Sequence, residues 1–359
     1  MCQCQNKRQT LALWHIHAAR STEGGSKIVN SDAYLVKPLF SPDIERAATR
    51  DGYGEAILEL GKDDPRIVVL CADLAESTRT LAFAKKFPER FIEVGVAEQN
   101  MAGIAAGLAL EGKIPFMSSF AVFSPGRNWD QVRVSICYSK ANVKIAGSHA
   151  GLQTGGDGAT HQALEDIAIT RCLPNMVVLA PCDALETKKA VFAAARHNGP
   201  VYIRLARDKT PVFTTLETPF KIGKAVMLSA GSDVTIIACG TMVYPSLEAS
   251  KALLDEGISV QVVNNSSIKP IDISMIISAA RDTGAVVTVE EHQIYGGLGS
   301  AVAEVLAANL PVPQEMVAVK DMFGESGEPK ELWQKYGLTV ENIIAHVKRA
   351  IARKKAQNG

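Results

Sequence analysis

From about Pro42 onward, short runs of nearly unbroken apolar residues alternate with stretches in which apolar residues recur every three or four positions. The runs IVVLCAD (67–73), RFIEVG (90–95), IPFMSSF (114–120), NVKIAGS (142–148), NMVVLAP (175–181) and VYIRLA (201–206) predict strands. Between them, 44–61, 97–111, 127–140, 161–172 and 183–197 carry helical spacing. A strand apolar along its whole length is buried on both faces, and helical crossovers join strands that run the same way, so these elements predict a mostly parallel sheet covered by helices. The alternation stops at 208–232 (DKTPVFTTLETPFKIGKAVMLSAGS), where prolines and paired threonines predict a linker. It resumes as DVTIIAC (233–239), helix 244–256, ISVQVVN (258–264), helix 272–282, AVVTVE (285–290), helix 298–309 and MVAVKD (316–321), and closes with a helix near 339–353. The expected fold class is therefore α/β: two three-layer domains with mostly parallel sheets, at 44–207 and 233–359. An irregular N-terminal arm, 1–43, precedes them; it has no sustained period and is broken by Gly24-Gly25-Ser26, as a loosely attached arm or a start-site extension would be.

A chain of 359 residues suits two domains, each with its own core. Thirty-eight lysines and arginines balance thirty-eight aspartates and glutamates, so no bulk basic field attracts nucleic acid or anionic lipid, and any phosphate preference must be local. The seven cysteines are odd in number, scattered, and partly set in apolar runs, which fits buried thiols in a reducing compartment. No run of about 18 apolar residues could span a bilayer, and the N-terminus lacks a signal-peptide core. A cytoplasmic protein without membrane contact is expected. Cys2 and Cys4 with His15 and His17 lack the usual zinc spacing, and no metal site is assigned to this chain.

Gly297-x-Gly299 opens a helix, but six residues separate it from the preceding strand, so a tight turn suits it better than a dinucleotide site. The stretch SHAGLQTGGDGATHQ (148–162) is richer. It follows an apolar strand, where open α/β sheets place ligands; its four glycines let backbone approach a ligand, and His149, Asp157 and His161 supply polar and titratable groups. Glu98, in VGVAEQNMAG (94–103), opens a helix directly after a strand, a placement that helix electrostatics alone would favour by about 0.3–1 kcal/mol. Phe116, Phe120 and Phe123 share one short segment, and most such phenylalanines are core.

In this order the pieces resemble the C-terminal half of a transketolase, its pyrimidine-binding domain followed by its C-terminal domain, over about residues 44–359. The strongest element is Gly156-Asp157-Gly158-Ala159-Thr160-His161-Gln162, similar to the family's G-x-DG-x-TH-Q loop, with VAEQN around Glu98 matching the family's glutamate-bearing helix start. The resemblance implies that Glu98 meets the N1′ nitrogen of the thiamine aminopyrimidine ring and shares a proton with it, as catalytic acid and cofactor contact together. It implies that Phe120 and Phe123 pack on that ring. Where many relatives carry a third aromatic, this chain has Gly126, so the ring clamp is either looser or completed by another residue. Asp73 matches a position lining the thiamine pocket, and capping a strand end would explain it as well. Arg50, Ser77, His149 and Arg207 match a sugar-phosphate clamp, a set of cations and polar groups suited to a dianion. Asp157 and His161, the latter also counted as catalytic, match groups that read hydroxyls near the ketose carbonyl.

The family's cofactor is thiamine diphosphate, whose diphosphate and Mg²⁺ are held by Gly-Asp-Gly followed about 25–30 residues later by Asn. Here the only Gly-Asp-Gly is 156–158, inside the substrate loop, and 184–189 contains no Asn. The resemblance thus implies the C-terminal subunit of a split transketolase, incomplete without an N-terminal subunit that carries the diphosphate and Mg²⁺ site. The implied assembly holds two copies of each subunit, includes a homodimer contact of this chain, and transfers a two-carbon ketol unit between sugar phosphates. Rival readings are a beta-type 2-oxoacid dehydrogenase subunit, which lacks a sugar-phosphate clamp, a deoxyxylulose-phosphate synthase fragment, and a non-catalytic scaffold homologue.

Overall fold

The computed structural model describes residues 29–358. Its strands, in chain order, are β1 Arg46–Ala47, β2 Ile67–Cys71, β3 Phe91–Glu93, β4 Ile114–Phe120, β5 Lys144–Ser148, β6 Val177–Leu179, β7 Val201–Arg204, β8 Thr210–Pro211, β9 Val226–Ser229, β10 Val234–Ala238, β11 Val260–Asn264, β12 Ser267–Lys269, β13 Val286–Gln293 and β14 Gln314–Val319. They form a seven-stranded sheet in the order β12-β6-β7-β5-β4-β2-β3 and a five-stranded sheet in the order β14-β13-β10-β11-β9, with β1 and β8 as a short antiparallel pair. Every pairing in the two large sheets is parallel except β12 on β6 and β9 on β11. The two parallel sheets with helical crossovers are the expected fold class. Central strands β2, β4, β5, β7 and β10 are buried at every position, as their largely apolar sequences favour.

Helices α1 Thr49–Asp63, α3 Glu98–Leu110 and α6 Ala184–Arg196 cover the first sheet, and α7 Val243–Asp255, α8 Ile273–Thr283, α9 Leu298–Asn309 and α11 Val340–Asn358 cover the second; α2 Leu81–Lys86, α4 Trp129–Gln131, α5 Asp166–Arg171 and α10 Pro329–Lys335 are short. Helix α3 is rich in glycine and alanine, and its small buried residues Ala102, Ala105 and Ala106 let it lie close on the sheet. Helix α1 crosses the start of α6 at Gly52, where a Cβ would stand 2.0 Å from the Ala184 carbonyl oxygen. Among the described residues no helix is long and apolar enough to cross a membrane.

Three departures from the sequence expectation have physical causes. Residues 29–43, expected within a loose arm, are docked: Asn30 N–H donates to the Leu228 carbonyl at 2.8 Å, Val36 N–H to that of Phe213 at 3.0 Å, and Ala33, Leu35 and Leu39 enter the core of the second half. Residues 1–28, with Cys2, Cys4, His15 and His17, lie outside the described residues. The stretch expected as a linker contains β9, an edge strand whose short length hid it among prolines and threonines. The helix expected over 161–172 starts only at Asp166, because 161–165 is held as loop, with Gln162 Nε2 donating to the carbonyls of Gly155 (3.2 Å) and Glu325 (2.9 Å). The halves share one interior: Val68 and Ile145 belong to the same buried cluster as Val263 and Val286. Buried polar groups cross it too, the Glu186 carboxylate accepting from Cys182 N–H, Asn264 Nδ2 and Ser266 Oγ.

Candidate active site

Strands β2, β4, β5 and β7 end on the same side of the first sheet, and their carboxyl ends carry the chemistry. Glu98 is the first residue of α3 and is only 1% exposed. Its Oε2 accepts from Arg127 Nη1 at 2.8 Å, and the Arg127 guanidinium carbon lies 4.6 Å from the centre of the Phe123 ring. Phe120 and Phe123 stand 6.1 Å apart with nearly parallel planes. Asn128 Nδ2 braces the turn below by donating to the Glu98 carbonyl and to Ser124 Oγ, both at 3.1 Å. At the position of the absent third aromatic, a Cβ on Gly126 would lie 2.0 Å from the Val122 carbonyl oxygen, so the chain path there admits only glycine. The next residue, Arg127, closes over the acid and ring instead. Sequence reasoning missed it, because an arginine following a glycine carries no signal until the fold sets it against Glu98.

Asp73 caps the end of β2 with a left-handed backbone (φ 59°) and an exposed side chain; the hydrogen bond found there is from its N–H to Glu93 Oε1 at 2.7 Å, which Gly95 N–H shares at 2.9 Å.

The four residues expected as a clamp are brought together. His149 is 2% exposed, has φ 55°, and stacks on Phe120 with 3.8 Å between ring centres. Arg50 Nη1 lies 3.2 Å from His149 Nε2 and donates to the Ser77 carbonyl at 2.9 Å, so Ser77 takes part through its backbone rather than its hydroxyl. Arg207 Nη1 donates to the Thr154 carbonyl at 2.7 Å, and Thr154 Oγ1 donates to the His149 carbonyl at 2.6 Å. His161 stands edge-on to Phe123 (5.3 Å) and Phe120 (6.1 Å), its Nδ1 beside Thr160 Oγ1. Asp157 is exposed at the rim, four positions earlier in the same loop.

Burial first, and then the charges of Arg50, Arg207 and Arg79, push the His149 imidazole down to about 3. It is neutral in use. Because a guanidinium can only donate, Nε2 is the acceptor and Nδ1–H donates to Ser148 Oγ at 2.9 Å. Burial, and next the Arg79 charge, also holds Arg50 below its usual value, as expected where like charges crowd before an anion arrives. A sign follows for stability. The unfolded imidazole takes a proton near 6.5 while the folded one refuses it until about 3, so His149 costs the fold stability as pH drops through that window. Urea midpoints of wild type and His149→Asn, taken from pH 7 to pH 4, should show the smaller decline in the variant; equal declines would contradict a buried neutral histidine.

The Gly297-x-Gly299 turn is filled by the protein itself. Glu290 Oε2 accepts from Leu298 N–H and Oε1 from Gly299 N–H, each at 2.7 Å, and a Cβ on Gly297 would stand 2.2 Å from Oε2. The dipole of α9 is met by an internal carboxylate.

Fold and site together define a two-domain α/β protein with its polar cleft at the carboxyl edge of a parallel sheet. The family model of the transketolase pyrimidine-binding domain matches residues 45–212, and that of the transketolase C-terminal domain matches 223–343. A putative transketolase C-terminal section from Methanocaldococcus jannaschii is 50% identical over 301 residues, covering 83% of this chain and 94% of the relative. The 6-deoxy-6-sulfo-D-fructose transketolase subunit SqwH of Clostridium sp. is 42% identical, covering 88% and 98%. A solved split-gene transketolase, described as an inactive beta4 tetramer, superposes with a TM-score of 0.81 at 53% identity, covering 86% of this chain and 99% of that one. The chain belongs to the transketolase family, as a C-terminal subunit of the split type. Its pyrimidine-binding domain implies binding of thiamine diphosphate.

Proposed function

We propose that this chain supplies the pyrimidine and substrate side of a thiamine-diphosphate-dependent ketol transferase, acting with an N-terminal subunit that carries the diphosphate and Mg²⁺ site. The observation that carries the reading is the convergence of a buried acid, a stacked aromatic pair and an arginine-histidine cluster at one sheet edge. The residues present fit the cofactor's ring end: an apolar face from Phe120 and Phe123 lies beside a carboxylate that water hardly reaches. Thiamine diphosphate, when bound, supplies the carbanion chemistry of two-carbon transfer. Glu98 holds a proton at its carboxyl oxygen against ring nitrogen N1′, for which it must exchange its present partner, Arg127, for the ring. Asp73 lines the same end through its backbone turn. His161, edge-on to both rings, and Asp157 at the rim orient the ketose hydroxyls.

Arg50 and Arg207 receive the terminal anion of the sugar, with His149 Nε2 and the Ser77 carbonyl holding the Arg50 guanidinium in place. Two guanidiniums meet an oxyanion with charge-assisted hydrogen bonds, the neutral imidazole of His149 orients one of them by accepting from Arg50, and the locally positive pocket needs no net charge on the chain. A relative named for a sulfo-sugar fits a clamp that reads a terminal oxyanion, with phosphate and sulfonate as its two forms. The assembly pairs two copies of each subunit; within it, two copies of this chain touch, and the beta4 tetramer of the solved relative supports that contact between like chains.

Arg50→Ala tests the clamp. In the assembled enzyme we expect KM for xylulose 5-phosphate to rise about 10- to 100-fold, the loss of one charge-assisted contact, while KM for unphosphorylated xylulose stays within about twofold. A parallel rise for both donors would place Arg50 outside the anion site.

A further inference from the structure

The second domain reaches into the loop that carries the clamp. Glu291, on β13, is fully enclosed, and its carboxylate collects four donors from three parts of the chain. Oε1 accepts from the Gln153 N–H at 2.9 Å and Trp333 Nε1 at 3.0 Å; Oε2 accepts from Gln153 Nε2 at 3.0 Å and Thr241 Oγ1 at 3.2 Å. Thr241 Oγ1 also accepts from Gln153 Nε2 at 2.7 Å. Gly151, at φ 84°, presses its backbone against the same carboxylate, and a Cβ there would stand 2.6 Å from Glu291 Cδ. The far end of the loop is tied likewise: Gln162 Nε2 donates to the Glu325 carbonyl, and its Oε1 fills the space that a Cβ on Gly324 would take.

What hangs on Gln153 is its neighbour. Thr154 holds His149 through its hydroxyl and Arg207 through its carbonyl, so two members of the anion clamp are set by one residue, and that residue is placed by Gln153. We propose that Glu291 is a positioning residue for substrate binding: anchored in the second domain, it fixes Gln153 and thereby sets the His149 and Arg207 geometry through Thr154. The inference rests on the reading of that cluster as the anion clamp. It gives the second domain a direct part in substrate recognition, although none of its residues lies among those expected to meet substrate.

The physical requirement is acceptor capacity. Four donors pointing at one carboxylate demand two oxygens with free lone pairs; alanine removes both and leaves the loop untied, whereas glutamine keeps one and lets the Gln153 amide, whose Oε1 is buried and unpartnered among the described residues, turn over to meet it.

Two measurements on Glu291→Ala, Glu291→Gln and Gln153→Ala test the proposal. On the chain alone, amide hydrogen exchange at 150–158 should speed up at least about tenfold in both alanine variants and much less in the glutamine variant; unchanged protection in both alanine variants would overturn the anchor whatever the enzyme does. In the complex with the N-terminal subunit, KM for xylulose 5-phosphate should rise about tenfold or more with kcat and KM for free xylulose within about twofold, and the two alanine changes combined should cost no more than the larger alone. Equal damage to both donors would reduce Glu291 to a structural residue and overturn the proposal. Should the wild-type complex show no preference for the phosphorylated donor, the clamp reading fails, while the exchange data still decide the anchor.

Discussion

Glu98→Ala should lower turnover of the assembled enzyme by at least about 10²-fold at saturating thiamine diphosphate, the scale of losing a positioned acid or base. The fold should survive. Removing the carboxylate releases Arg127, which is about half exposed and returns to water, while the Asn128 brace below is made to the Glu98 backbone carbonyl and stays in place. Turnover measured beside circular dichroism separates the two effects: a folded, inactive variant is the expected result. A variant that keeps more than half of wild-type turnover would remove Glu98 from the chemistry.

Arg204→Ala should instead cost stability, by about 3–5 kcal/mol, the usual result of leaving one member of a buried ion pair alone. Asp166 is completely buried, and its Oδ2 accepts from Arg204 Nε at 2.9 Å and Tyr202 OH at 2.7 Å. Without the guanidinium, the Tyr202 hydroxyl is the one hydrogen-bond partner left to that carboxylate among the described residues. Arg204 Nη2 also donates to the Glu291 carbonyl at 2.8 Å, so its loss loosens the seam between the domains as well. Urea unfolding of wild type, Arg204→Ala and the double variant Arg204→Ala/Asp166→Asn reads the effect; the double variant should recover part of the loss because its carboxamide carries no charge. A midpoint unchanged in Arg204→Ala would show that water reaches Asp166.

The core of the fold was legible because parallel strands buried on both faces write themselves as apolar runs, and β2, β4, β5, β7, β10 and β11 lie inside the expected segments. The antiparallel edge strands were not. Both β9 and β12 are short, pair antiparallel, and carry no periodicity to separate them from loop, and β12 joins the sheet of the other half of the chain, which no local pattern encodes. Of the candidate site, Glu98, Phe120, Phe123, Arg50, His149, Arg207 and His161 do come together at one edge, since each sits at a strand end, in a loop or in the first turn of a helix that the crossover topology sends there. The supporting residues stayed hidden. Arg127 acts across 29 positions and Glu291 across 138, and an arginine after a glycine or a glutamate inside an apolar strand has no meaning until the chain is folded.

The central claim is that this chain completes an active site it does not hold alone. The direct measurement is a coupled assay of ketol transfer from xylulose 5-phosphate to ribose 5-phosphate with thiamine diphosphate and Mg²⁺, run on this chain, on its N-terminal partner, and on the mixture. Activity confined to the mixture is the predicted result; turnover by this chain alone would contradict it.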